Sequence, residues 1–491
     1  MIGKHRTALI KLMPFLLGGY IGLMVVLQGN YLKLAIFAAV AGIVLFIIQK
    51  NIKLVPVAII TLPLFYKLKI SEGVYLHPTV IILFLIWTGI FINSVFKKGS
   101  NEFVLEYIRK NTLVKLISIF LMILMAASLY GVFNSGIMDK GVFLRVFLYI
   151  IAFSIFPLAL QYGKAINDIK MKKIVNSFII TSVIFSLISF YWMIFVGLKE
   201  GTYFTEYNFT KRVMGTFGQY LDFSGLHLIP AGATANAGEY LVIITAMILV
   251  LLLSKERTKK TLLFAGMLIN VTAIALTYSS ISYVCLILIV YIIFKNKMNL
   301  KGRVNFIVLA VIIIVSFLSL LPSTSSLYRE ISETNIVMRD GKIVFGSAIS
   351  SRAEFWIDCL KISFSNAVYP FIGIGFIDLA VKYKIVPHSL LFGWFTRVGI
   401  FGCLVLFAIW HRMFKQAKQL FVDSPSDSIK QVVSLGLFAF LFGWLISNLF
   451  SGEDFLALEL IVTFWGLLGL ITGMSEAGRQ EKDTRAETTD E

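Results

Sequence analysis

"HSLLFGWFTRVGIFGCLVLFAIW", residues 388 to 410, is a nearly unbroken apolar run that opens on one imidazole, His388, and carries one fixed charge, Arg397. Apolar stretches of about 17 to 25 residues have the length of a helix crossing the hydrocarbon of a bilayer. Lipid offers backbone N–H and C=O groups no partners, and a helix supplies them from within. Outward from this run the same pattern recurs, giving fourteen runs in all, near 8–27, 33–49, 52–66, 75–96, 113–133, 142–161, 174–198, 236–254, 261–277, 279–294, 304–321, 388–410, 431–450 and 455–473. With 58% hydrophobic and only 15% charged residues among 491, the chain reads as an all-α polytopic membrane protein of about 12 to 14 transmembrane helices. The first run has no small-residue cleavage site and reads as a retained span, with no soluble domain before or after the spans.

Charge gives this array an orientation, because short cytoplasmic loops collect Lys and Arg. Basic clusters at Lys97–Lys110, Lys164–Lys173, Lys255–Lys260, Lys295–Arg303 and Arg412–Lys430 fall in alternate loops, and with Lys50, Lys53 and both termini they hold 27 of the 45 basic residues. That side is expected to be cytoplasmic. The net charge of +18 is then a topology signal with attraction to anionic membrane lipid, and a nucleic-acid partner is excluded. Cys285, Cys359 and Cys403 imply no disulfide framework.

The chain accordingly divides into amino-terminal spans (1–198), spans with a first long outer loop (199–321, the loop at 199–235), a large outer loop carrying short amphipathic helices (322–387), carboxy-terminal spans (388–474) and a polar tail expected to be disordered (475–491). The first outer loop holds Lys211 and Arg212 before a glycine-bracketed turn, and Glu239 follows at the start of a span. In the second, "SSRAEFWIDCLKISFSNAVYPFIGIGF" places Phe355, Cys359 and Ile362 at helical spacing, with Ser350 and Ser351 as expected caps, then Pro370 and a Gly373-Ile374-Gly375 turn. A guanidinium fork matches phosphate oxygens, so Arg212 and Arg352 on one face point to an anionic head group. A helix beginning at His388 would turn its positive end to that face and favour a neutral, base-competent imidazole.

Each residue also has an ordinary reading. Outer arginines are usually solvated or bound to lipid head groups, and a histidine at a helix start is usually a cap or an interfacial residue. Trp356 and Trp394 read as interface anchors or packing, and His77 and His227 as structural. Arg397 and Glu459 lie in spans, where a charge is costly and normally paired, and they could pair with each other.

The succession "SSRAEFW", "YPFIGIGF" and "PHSLLFGWFTRVGIFGCLVLF" resembles the signature of the O-antigen polymerase and O-antigen ligase superfamily, and "KRVMGTFGQ" with "ANAGEYLVI" resembles its upstream elements. The likeness covers roughly residues 210 to 405. The chain departs from the pattern at Ser389, where Asn is usual, and in "LTYSSIS", residues 276 to 282, which lacks an Arg often found there. The resemblance implies a GT-C-like glycosyltransferase of the bacterial inner membrane, with cytoplasmic termini and an active site on the periplasmic face. Its donor would be an oligosaccharide on undecaprenyl diphosphate and its acceptor a glycan or lipid-linked glycan, and a chain-length regulator and a flippase would be its companions. No cofactor or metal is expected, and the sequence has no Asp-x-Asp, P-loop or His/Cys cluster.

Under this expectation Arg352, Arg212 and Lys211 bind the diphosphate, and His388 accepts the acceptor's proton, with Glu239 a second candidate for that task. Gly373, Gly375 and Trp356 shape the site. Polymerisation of lipid-linked repeat units is the leading expectation. Ligation of finished glycan to lipid A-core or another acceptor is the alternative, and transport of the same lipid-linked glycan is the reading from another class.

Overall fold

The computed structural model describes residues 55–60, 67–71, 74–76, 78–96, 111–135, 140–199, 221–223, 226–229, 234–254, 260–277, 279–297, 336–339, 342–345, 347–376, 389–451 and 458–489. Its helices in chain order are α1 (Val55–Ile60), α2 (Pro78–Phe96), α3 (Thr112–Ser135), α4 (Lys140–Phe153), α5 (Ile155–Lys164), α6 (Asp168–Lys199), α7 (Thr234–Leu253), α8 (Lys260–Leu276), α9 (Ser280–Lys297), α10 (Ser347–Ser363), α11 (Tyr369–Ile372), α12 (Leu390–Asp423), α13 (Ile429–Ser451) and α14 (Leu458–Thr489). The runs expected at 8–27, 33–49 and 304–321 lie outside the described residues.

Among the described residues, five segments are long and apolar enough to cross a membrane: Thr112–Asn134, Arg145–Lys164, Asp168–Phe190, Leu390–Asp423 and Ile429–Leu449. Val80–Ile90, Ala237–Leu253 and Lys260–Leu276 are shorter apolar helices. The distribution of side chains is that of a membrane protein. Phe84, Met122, Ile180, Leu262 and Leu404 face outward, while Ser182, Ser186 and Asn270 are buried. In the interior the two serines, one helical turn apart on α6, bracket the Asn270 amide of α8 at 2.9 and 3.1 Å, the polar cross-link that helices use where lipid competes for apolar contact.

Helix pairs approach closely where glycine permits it. On α14 Gly469 and Gly473 stand four residues apart, facing Ala159 and Gly163 on α5. A Cβ on Gly163 would sit 2.2 Å from the Leu470 carbonyl oxygen, and one on Gly473 would sit 2.1 Å from that of Leu160. This small-xxx-small pairing brings two backbones into contact. Between α4 and α5 the chain breaks at Ser154, because Pro157 has no N–H for the Phe153 carbonyl and its ring crowds it. The Ser154 hydroxyl accepts a hydrogen bond from the Trp87 indole at 2.7 Å.

Among the described residues, ion pairs join elements at one end of the bundle, including Lys164 with Glu476 at 2.9 Å, Lys297 with Asp427 at 3.1 Å and Lys430 with Asp168 at 3.9 Å. All six residues lie in or beside the segments that the sequence reading expects on the cytoplasmic side.

Short strands accompany the helices, an addition to the all-α reading. β1 (Lys67–Ser71), β2 (Val74–Leu76), β3 (Leu221–Phe223) and β4 (Leu226–Ile229) form one antiparallel sheet in the order β2-β1-β4-β3, and β5 (Ile336–Arg339) pairs with β6 (Lys342–Phe345) as a hairpin. β1 meets β4 through Lys67 opposite Ile229 and Leu68 opposite Leu228. That pairing puts the connection before α2 and the segment before α7 at the same end, opposite the ion pairs.

Two expectations are corrected. The polar tail after residue 474 is helical as far as Thr489, continuous with α14. Ala, Glu, Gln, Lys and Arg are strong helix formers, and no proline interrupts them. Likewise α10 begins at Ser347, a turn earlier than expected, so Ser350 and Ser351 are inside the helix and do not cap it.

The α5–α14 contact is the first test of this packing. Gly163→Val should lower the unfolding midpoint of the purified protein by several degrees, the effect of about 2 kcal/mol of overpacking. Gly266→Ala, whose new methyl would meet only the Val183 side chain at 3.3 Å, should shift it by less than about 1 °C.

Candidate active site

The residues expected to carry chemistry gather around a break in α12. Gly399 takes φ +61° and ψ −169° inside that helix and divides it in two. In an unbroken helix the Thr396 and Arg397 carbonyls would accept from N–H groups four residues on. Here Ile374 N–H donates to the Thr396 carbonyl at 2.9 Å, and Gly375 N–H donates to that of Arg397 at 2.8 Å. The Gly373-Ile374-Gly375 turn thus takes the place of the next turn of helix, as backbone at membrane depth requires.

Glycine is needed on both sides of this junction. Gly373, at φ +78° and ψ −171°, lies in a region essentially reserved for glycine, and a Cβ there would be 2.3 Å from the Arg397 carbonyl. A Cβ on Gly399 would be 2.3 Å from the Phe371 carbonyl carbon. Gly375, at φ +69°, lies against α3, where its Cβ would be 2.2 Å from Ser128 Cα. Phe376 N–H donates to the Ser128 hydroxyl at 3.2 Å, Arg145 donates to the Phe376 carbonyl at 3.4 Å, and the Tyr149 ring stacks on Phe376 at 4.7 Å. The turn is therefore held by α3, α4 and α12 together.

Beside it α10 is seated by the face that sequence spacing predicts. Cys359 and Ile362 are buried, form a small cluster with Tyr369 and Ile374, and are flanked by Phe355 and Phe392. Trp356 stacks on Phe392 of α12 with centroids 5.4 Å apart. The Ser363 hydroxyl donates to the Cys359 carbonyl at 2.8 Å and lies 3.2 Å from the Thr396 hydroxyl, which donates to the Phe392 carbonyl at 2.9 Å. Tyr369 packs edge-on against Tyr130 of α3 and accepts from the Asn134 amide at 2.6 Å.

Gly373, Gly375 and Trp356 thus meet at one junction, and Arg352 lies one turn before Trp356 on α10. The side chain of Arg352, the whole of Lys211, Arg212 and His388, and the side chain of Glu459 lie outside the described residues. Arg397 places its guanidinium over the Trp394 ring, 5.6 Å from the centroid. Trp394 is core packing: it is 1% exposed and packs against Phe120 and Phe376.

Glu239 occupies a second polar cluster, formed where α7, α9 and α13 meet. It is 3% exposed, and its Oε1 accepts from the Asn448 amide at 2.9 Å. Asn448 Nδ2 also lies 3.0 Å from the Trp444 carbonyl. The next residue, Leu449, accepts through its carbonyl from the Ser389 hydroxyl at 2.8 Å. The Ser447 hydroxyl donates to the Trp444 carbonyl at 3.0 Å, and on the α9 side Gly238 lies against Ser282. Glu239 is therefore enclosed in the bundle, at the end where α12 begins.

Sequence reasoning missed Arg145, Ser128, Thr396 and Asn448. Arg145 carried a legible signal, a lone cation inside an apolar run. The other three are small polar residues of ordinary span composition, and only their partners mark them. Among the described residues no three His, Cys, Asp or Glu side chains are grouped to hold a metal ion. No family model matches this chain, and no curated protein matches it in sequence.

The junction should respond as one unit to added methyl groups. Gly373→Ala and Gly399→Ala should each cost about 2 kcal/mol or more of stability. The double variant should lose clearly less than the sum, since both press on the same crossing of backbones. Unfolding midpoints of the four proteins in one detergent check this.

Proposed function

We propose that this protein is a membrane glycosyltransferase that polymerises oligosaccharide repeat units carried on polyprenyl diphosphate, working at the outer face of the bacterial cytoplasmic membrane. The observation that carries the reading is the locked crossing of the Gly373–Gly375 turn with the break in α12. Together with the Trp356–Phe392 stack, it holds α10, which bears Arg352 and Trp356, beside the first half of α12, which starts two residues after His388. A site that must hold a diphosphate and a sugar hydroxyl in register gains most from such a fixed pair of supports.

In the proposed reaction an acceptor hydroxyl oxygen attacks the anomeric carbon of the donor glycan, and the bond from that carbon to the diphosphate oxygen breaks. The bonding pair leaves on the diphosphate, whose growing charge Arg352 and Arg212 stabilise. His388 takes the hydroxyl proton. The products are the lengthened glycan, polyprenyl diphosphate and one proton, so no nucleotide sugar is consumed.

An interrupted membrane helix is also a feature of transporters, where the unwound backbone coordinates the cargo. Here the carbonyls released at the break are occupied by Ile374 and Gly375, which favours a structural role for the interruption and a transferase over a flippase.

The test is an electrophoretic profile of surface and lipid-linked polysaccharide from a deletion strain carrying the wild-type gene, His388→Ala or Arg352→Ala. Loss of the long-chain ladder with single repeat units still on the acceptor, in both variants at normal protein level, is the expected result. Full-length lipid-linked chains that never reach the acceptor would make the protein a ligase, and wild-type ladders from both variants would overturn the site assignment.

A further inference from the structure

Glu239 is placed to act from behind the reaction centre. It lies in the second turn of α7 and is 3% exposed, so an acceptor sugar does not reach it in this structure. What it does touch is the Asn448 amide, 2.9 Å away near the end of α13. The adjacent carbonyl, that of Leu449, receives the Ser389 hydroxyl at 2.8 Å.

Ser389 occupies the N-cap position of α12 with extended backbone, φ −157° and ψ 128°, yet its side chain does not cap that helix. A serine there normally accepts from the N–H groups of the first turn. This one is 1% exposed and gives its hydroxyl to another helix. The residues join into a single path: Glu239 to the Asn448 side chain, along one residue of α13 to the Leu449 carbonyl, and through Ser389 to the start of α12.

We propose that Glu239 and Asn448 are a positioning pair for the transfer reaction, setting through Leu449 and Ser389 where α12 begins, with the Glu239 carboxylate serving as a hydrogen-bond acceptor and not as the carrier of the acceptor's proton. The proposal rests on the transferase reading above. It assigns the proton step to a different group from Glu239 and gives Asn448 a role of its own.

A glutamine at 239 separates the two tasks, because its carbonyl oxygen still accepts from Asn448 but cannot take a proton. The experiment uses the full-length protein in lipid nanodiscs, with the polyprenyl-diphosphate oligosaccharide extracted from the deletion strain as substrate. It measures kcat and KM for Glu239→Gln, Glu239→Ala, Asn448→Ala, the Glu239→Ala/Asn448→Ala double variant and Ser389→Ala. Glu239→Gln should keep a tenth or more of the wild-type kcat, whereas Glu239→Ala and Asn448→Ala should each lose about 100-fold in kcat with KM within about threefold, the usual effect of a small displacement of catalytic geometry.

The double variant should be no slower than either single, because both remove the same link. If Asn448→Ala does not fold, Ser389→Ala carries the test from the other end of the path, with an expected loss of about tenfold in kcat. A Glu239→Gln protein as inactive as His388→Ala, wild-type kcat in Asn448→Ala or Ser389→Ala, or additive losses in the double variant would overturn the proposal. His388→Ala and Arg352→Ala run in parallel: full activity in both defeats the transferase site itself, whereas their inactivity beside an active Asn448→Ala defeats only the positioning pair.

Discussion

Inside a membrane every backbone N–H and C=O must find its partner within the protein, and the junction between α12 and the Gly373–Gly375 turn is where this constraint shapes the chain most strongly. Breaking a helix at Gly399 would leave carbonyls unpaired at a cost of several kcal/mol each. The protein meets that demand by feeding the turn into the gap, so a local irregularity ties the segment after α11 to α12. Because the glycines on either side press against each other's backbone, neither the turn nor the break can be moved alone. The placement of Trp356, the packing of Cys359 and the contacts of Phe376 all follow from that crossing.

The other close contacts obey the same logic with different means. Where α5 meets α14, glycines let two backbones touch. Where α6 meets α8, two serines share an asparagine amide. At the charged end, long side chains reach across in ion pairs that are partly exposed and individually weak. Apolar attraction between helices gives little advantage where the solvent is itself apolar, so shape and hydrogen bonds decide which helices are neighbours.

Much of this was legible in the sequence. Apolar runs located some helices to within a few residues, as with 236–254 against Thr234–Leu253 and 431–450 against Ile429–Ser451, while α12 and α14 continue well beyond the ends of their runs. Spacing alone identified the buried face of α10 through Cys359 and Ile362, and the Gly-x-Gly turn announced itself. What escaped was non-local. A continuous apolar run at 388–410 gives no sign that Gly399 divides it, because the break is stabilised by residues that lie earlier in the chain. Glu239 looked like a group at the water boundary, since nothing near it in sequence reveals Asn448. The tail looked disordered because it lacks an apolar stripe, although its residues favour helix on their own. The strands were missed because each has five residues or fewer, at or below the short end of the window in which alternation can be recognised.

The pairing of β1 with β4 has a consequence for how the protein is made. β1 leaves the ribosome before α2, whereas β4 appears only after α2, α3, α4, α5 and α6 have all been synthesised. Until then the free edge of the β1–β2 ribbon has no partner of its own, and an unpaired edge is an invitation to foreign strands. Completion of the sheet is thus a late event of biogenesis that requires the intervening helices to have crossed with correct parity. A helix inserted the wrong way would leave β4 on the opposite side of the bilayer from β1, and the sheet could not close.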